Sequence, residues 1–130
     1  MNEIQIPISP GELLDKITIL QIKAERINDP AKVANVKTEL EMLSKIWNEA
    51  VEIDTGISAL TTELKSVNEA LWEIEDDIRD EERSRRFGER FIELARAVYV
   101  TNDERANAKK KVNLHLNSSI VEEKSYQDYK

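Results

Sequence analysis

Cysteine is absent from the 130 residues, which removes both a disulfide framework and any Cys-ligated zinc site. Histidine occurs once, as His115, so one chain can build neither a His-based catalytic triad nor a multi-His metal centre. Glycine and proline number three each, too few breaks for an architecture of many short strands. No apolar run approaches the ~20 residues of a membrane span, and no basic segment followed by an apolar run opens the chain. A cytoplasmic location is the expectation from the missing leader and missing cysteines. Positive charge is in deficit: 19 Lys and Arg against 26 Asp and Glu give a net charge of −7. That balance opposes generic binding to nucleic acid or to an anionic membrane.

What the chain does have is helical periodicity. Ile, Leu, Val and Phe supply more than a quarter of the residues, so the high charge is compatible with a packed core. A single helical domain over 1–130 is expected, with residues 1–8 as an extended lead-in (Ile4, Ile6 and Ile8 alternate) and 118–130 as a polar tail. Ser9-Pro10-Gly11-Glu12 reads as a capping box that opens a first helix to about Asn28. Asp29-Pro30 opens a second, to about Ile53. Asp54-Thr55-Gly56 makes the next break, with Gly56 suited to a left-handed cap, and a third helix runs to about Arg86. After Phe87-Gly88, two shorter helices are expected: Glu89 to Tyr99, and a fifth that starts at the capping box Thr101-Asn102-Asp103-Glu104 and ends near Leu116.

Apolar residues place the helices. Val33, Val36, Leu40, Leu43, Trp47 and Ala50 step by three and four, as do Leu60, Leu64, Val67, Leu71, Ile74 and Ile78. Folded back about Gly56, the two seams match in six layers, from Ala50 opposite Leu60 to Val33 opposite Ile78. The expected fold is therefore an all-α, up-down-up helical bundle built on a long antiparallel hairpin of about 30–53 and 57–86. The first helix adds Leu13, Ile17, Leu20, Ala24 and Ile27, with Ala24 near Val33 and Ile17 near Leu40. Its middle, Ile17 to Ile22, is apolar nearly all round, so Ile19 and Ile22 need cover from the C-terminal helices, the lead-in or a second subunit. Trp47 reads as core, and Trp72 as a cap on the core or a contact to a partner.

Three polar groups are candidates for function. The first is acidic: Glu69, Glu73 and Asp77 fall four apart on one stripe, flanked by Asp76, and Glu73 and Asp77 have no cation one turn away. A solvated face, pairing to basic residues of another helix, and a catalytic or metal site are the three readings. Elsewhere on that helix Glu75 can pair with Arg79, Glu81 with Arg85 and Glu82 with Arg86. Glu49-x-x-Glu52 with Glu73-x-x-Asp76 resembles the magnesium-binding pattern of all-helical nucleotide pyrophosphohydrolases. In the six-layer register the two pairs are offset by about fourteen residues, on the order of 20 Å, so no metal site is expected. The second group, on the first helix, comprises Glu12, Asp15, Lys16, Lys23 and Arg26, whose basic rim suits a phosphate or carboxylate. The third is Arg96, Asn102, Asp103, Arg105 and Lys109, an anion pocket if the last two helices fold against each other and Asn102 and Asp103 lie at a helix N-terminus.

The blocks Ile8 to Leu20, Leu71 to Arg79, Arg90 to Arg96 with Thr101-Asn102-Asp103, and Glu122 to Tyr126 together resemble a small bacterial and phage family of all-helical proteins classed as a domain of unknown function. The likeness spans nearly the whole chain and carries no mechanism with it. Leu13 to Arg26 also resembles, more faintly, the first helix of helical chorismate mutases without their leading arginine. The expectation is a non-catalytic binding or assembly module that self-associates as a homodimer and needs no cofactor. The alternative is a small enzyme or sensor for an anionic small molecule such as a nucleotide or sugar phosphate. Lys16, Lys23, Arg96 and Arg105 would hold the anion, with Glu73 and Asp77 as acid, base or Mg²⁺ ligands.

Overall fold

A computed structural model describes residues 2–130 and contains four helices, with no strand among those residues. They are α1 (Pro10–Arg26), α2 (Pro30–Ala50), α3 (Thr55–Arg83) and α4 (Glu89–His115). The chain is an all-α helical bundle. Each of the first three starts is capped as the sequence requires. Ser9 Oγ accepts from the Glu12 N–H at 3.2 Å, Asp29 accepts from Ala31 and Lys32, and Asp54 accepts from Ile57 at 2.8 Å. Pro10 and Pro30 occupy the first helical turn, where a missing N–H costs nothing.

Helix ends depart from expectation. Neither Gly56 nor Gly88 has a positive φ; Arg85 (φ 54°) and Asn117 (φ 53°) do. Around Arg85, the Arg86 N–H donates to Glu81 O at 2.9 Å and the Arg85 N–H to Glu82 O at 3.0 Å. Asn117 and Ser118 close α4 in the same way, onto Leu114 O and Asn113 O. Both are Schellman caps, one of them built on an arginine. Since α3 stops at Arg83, Glu81 pairs with Arg86 at 2.7 Å rather than with Arg85, whereas the expected Glu75–Arg79 pair is present.

The largest departure in secondary structure is α4. The two short helices expected over Glu89–Tyr99 and 101–116 are one helix of 27 residues. No Gly or Pro lies between Glu89 and His115. Thr, Asn and Asp cost only about 0.5 kcal/mol each inside a helix, and Thr101 is buried there. Asn102 and Asp103 therefore stand mid-helix, and no free helix N-terminus exists beside them to attract an anion.

Pairing of the helices differs as well. α2 packs on α1 alone, and the extensive antiparallel hairpin is α3 with α4. The pairs Arg90–Asp77, Lys111–Glu63 and His115–Asp54 mark its run from one end to the other. The α2 and α3 seams are real, since Val33, Val36, Leu40 and Leu43 are half-buried and Trp47 is buried, but they do not face each other along their length. A matched period tests whether two helices could pair, not whether a third takes the strip first. Here α1 does. It contacts all three other helices and buries Leu13, Leu14, Ile17, Leu20 and Ile22 around its circumference. Of its apolar middle, Ile22 is buried within one chain and Ile19 is half-buried. Leu13, Leu14, Ile17, Trp47, Ile57, Leu64, Ala108 and Val112 form the core cluster, to which every helix contributes.

Candidate functional site

Asp15 lies on the α1 face turned toward α3 and α4, one position after the buried Leu14, and is itself 1% exposed. A carboxylate so placed needs partners on every side. Arg105 of α4 supplies a two-pronged grip, Nε to Oδ1 at 2.9 Å and Nη2 to Oδ2 at 2.5 Å. Asn68 of α3 donates Nδ2 to Asp15 Oδ1 and to Thr18 Oγ1, both at 3.0 Å, and Thr18 Oγ1 donates to Asp15 O at 2.9 Å. Burial pushes the Asp15 carboxyl upward. The hydrogen bonds from Arg105 and Asn68, then the charges of Arg105 and Lys109, outweigh burial and hold it below the usual carboxylate range. Asp15 thereby pins three helices together as an ionised group. Its arginine partner holds its proton more tightly for the same reason.

One turn toward the solvent, the polar network opens. Lys109 Nζ meets Glu12 Oε2 at 2.5 Å and Glu122 Oε2 at 3.5 Å. Burial lowers the affinity of Lys109 for its proton, but the hydrogen bond to Glu12 and the charges of Glu12, Asp15 and Glu122 together raise it above the ordinary lysine value. Glu122 also accepts from Ser9 Oγ at 3.3 Å. Below, the Gly11 N–H donates to Asn113 Oδ1 at 2.7 Å, and a Cβ on Gly11 would lie 2.4 Å from Lys109 O. Glycine at 11 thus lets α1 and α4 touch backbone to side chain where the site begins.

The tail turns back along α4 after Asn117. Lys110 meets Glu123 at 3.5 Å, Lys124 meets Asp103 at 2.7 Å, and the Tyr99 and Tyr129 rings stack edge to face at 5.0 Å. The Lys124 and Tyr129 hydrogen bonds lower the Asp103 carboxyl below its ordinary range. Between α4 and this tail lies a cleft of about 710 Å³. Arg105, Lys109, Lys110 and Lys124 line it with Asn102, Asp103 and three tyrosines, Tyr99, Tyr126 and Tyr129.

The expected anion cluster is thus divided. Asn102, Asp103, Arg105 and Lys109 come together in the cleft. Arg26 lies on the α3 side of α1 and meets Glu73 at 3.4 Å and Glu69 at 3.8 Å. Lys16 and Arg96 are exposed and Lys23 is half-buried, and none of the three makes an ion pair among the described residues. Of the acidic stripe, Glu69 and Glu73 face Arg26, Asp77 meets Arg90 at 3.5 Å, and Asp76 is exposed. Glu69, Glu73 and Asp77 thus pair across helices, and Asp76 does not. Glu73 stands with Arg26 and not with Glu49 or Glu52, and no group of three acidic or histidine side chains suited to a metal occurs among the described residues.

Sequence reasoning missed Asn68, Thr18, Asn113 and the tail. Asn68 left a signal: it falls four residues after Leu64 on the buried side of α3, where an amide must have a partner. The tail left none, since its docking rests on ion pairs between residues far apart in the chain.

A family model described as Family of unknown function (DUF6165) matches residues 4–129. No curated protein and no solved structure matches the chain.

Proposed function

The chain belongs to that family of unknown function, and from this premise we propose that it is a binding module, without catalysis of its own, for a small anionic metabolite carrying a ring. The cleft between α4 and the tail is the observation that carries the reading. Its volume of about 710 Å³ lies inside the ~300–1,000 Å³ range of small-molecule pockets. Lysines on its α4 wall suit a phosphate or carboxylate, and Tyr99, Tyr126 and Tyr129 offer faces for a base or a sugar ring. Nucleotides and sugar phosphates combine those two chemistries.

A binding role is favoured over catalysis by the state of the polar groups. The cleft's cations each face a carboxylate, and the single imidazole, His115, stands with Asp54 where α3 begins and α4 ends. Among the described residues no serine or threonine lines the cleft. Self-association loses the support that α1 lent it, because α1 finds its cover inside the chain. A thermal-shift screen with ADP, glucose 1-phosphate and inorganic pyrophosphate, with and without Mg²⁺, tests the reading. Stabilisation by at least one probe that is diminished in Lys109→Gln supports it; a flat screen at millimolar concentrations contradicts it.

A further inference from the structure

We infer that the C-terminal tail is a displaceable strap whose carboxylates Glu122 and Glu123 occupy the places on Lys109 and Lys110 that the ligand's own anionic group takes. The inference rests on the cleft being the ligand site and adds how that site opens.

Three observations carry it. First, the two tail carboxylates reach their lysines at 3.5 Å each, whereas Lys109 meets Glu12 of α1 at 2.5 Å. On these two lysines the tail's hold is the loose one, and its short contact, Lys124 to Asp103 at 2.7 Å, lies elsewhere. Secondly, the tail has little apolar anchorage. Tyr126 is 83% exposed, Ile120 is exposed, Val121 is half-buried, and the tail's aromatic contact, Tyr129 on Tyr99, joins two exposed rings. What fastens it is a set of surface ion pairs, a class of contact that is individually weak and exchangeable with other anions. Thirdly, the charge of the cleft depends on the tail. With the tail in place Lys109 and Lys110 face Glu122 and Glu123, and Asp103 faces Lys124; without it Lys110 is freed, Lys109 keeps only Glu12, and Asp103 loses Lys124. A ligand with two adjacent negative charges can span Lys109 and Lys110, neighbours on one helix, and replace both carboxylates at once.

The test uses the full chain with inorganic pyrophosphate and with ADP. The double variant Glu122→Gln/Glu123→Gln removes the competing charges and leaves α1, α3 and α4 untouched. It should bind pyrophosphate more tightly than the parent chain, by roughly fivefold, the scale expected when surface ion pairs no longer compete. Saturating pyrophosphate should also make Glu122–Tyr126 more mobile in amide relaxation measurements on the parent chain while leaving Arg105–Val112 rigid. Equal or weaker binding by the double variant, or a tail that becomes no more mobile on binding, overturns the strap even though the cleft still binds. Binding by neither chain overturns the cleft as the ligand site, and the strap with it.

Discussion

At the scale of single residues, Asp15 carries the most. Replacing it with alanine leaves the Arg105 guanidinium without its fork and Asn68 without an acceptor, and loss of one partner of a buried pair costs on the order of 3 kcal/mol. Urea denaturation of Asp15→Ala checks this, and a midpoint unchanged from the parent chain would refute it. The acid side follows from the same group. Its folded carboxyl titrates below the unfolded value near 3.8, so its stabilisation is complete above that value and is lost as pH falls through the lower folded one. Melting temperatures between pH 6 and pH 2.5 should therefore fall less steeply for Asp15→Asn than for the parent chain. Asp54 and Asp103, also held low, contribute a slope that both chains share. Two glycines offer a contrast. A methyl at Gly11 meets the Lys109 carbonyl at 2.4 Å and Asn113 Oδ1 at 2.9 Å, both held in place, so Gly11→Ala should cost about 1–3 kcal/mol. At Gly56 the obstacle is the His115 ring, the far end of a partly exposed side chain that can swing away.

At the scale of elements, the first three helix starts were legible, whereas the start expected at Thr101 was not one and the left-handed caps fell on other residues. Ser9, Asp29 and Asp54 each have a side chain that can accept from the first turn, and all three do. Ends depend on the left-handed residue, and here Arg85 takes that conformation although Gly88 lies three residues on. An arginine in this region costs about 1–2 kcal/mol relative to glycine, part of which is offset by glycine's greater freedom when unfolded. Arg85→Gly should therefore stabilise the chain by about 0.5–1 kcal/mol, and a drop in midpoint would speak against the Schellman cap. The continuity of α4 is testable by amide exchange. Thr101 to Glu104 lie mid-helix, so their amides should be as protected as those of Ala108 and Val112; fast exchange there would restore the break the sequence suggested. α2 behaves differently, since it leans on α1 only and buries Trp47 alone. It should be the first helix to open in native-state exchange.

At the scale of the whole molecule, the helical class and its seams were written in the spacing of apolar residues, while the choice of partners was not. Six matched layers between Val33–Ala50 and Leu60–Ile78 describe compatible surfaces. The packing was decided by α1, whose apolar middle needed covering on three sides, and that demand outranks the match between two one-sided helices. The site was half legible for a related reason. Asn102, Asp103, Arg105 and Lys109 sit within two turns of one helix, so local spacing grouped them correctly. Lys16, Lys23 and Arg26 were grouped by their side of the first helix and joined to the α4 residues by charge alone, and the bundle turns Arg26 toward Glu69 and Glu73 instead. The tail's carboxylates and tyrosines complete the cleft from over ten residues away in the chain, a distance that no local pattern spans. The central claim, that this cleft is where a small anionic metabolite binds, is tested most directly by amide chemical-shift mapping on the full chain titrated with ADP. Saturable shifts concentrated at Val98–Asn113 and Glu122–Tyr129 are the predicted result; saturable shifts confined to other helices, or no saturable shifts at millimolar ADP and pyrophosphate, would contradict it.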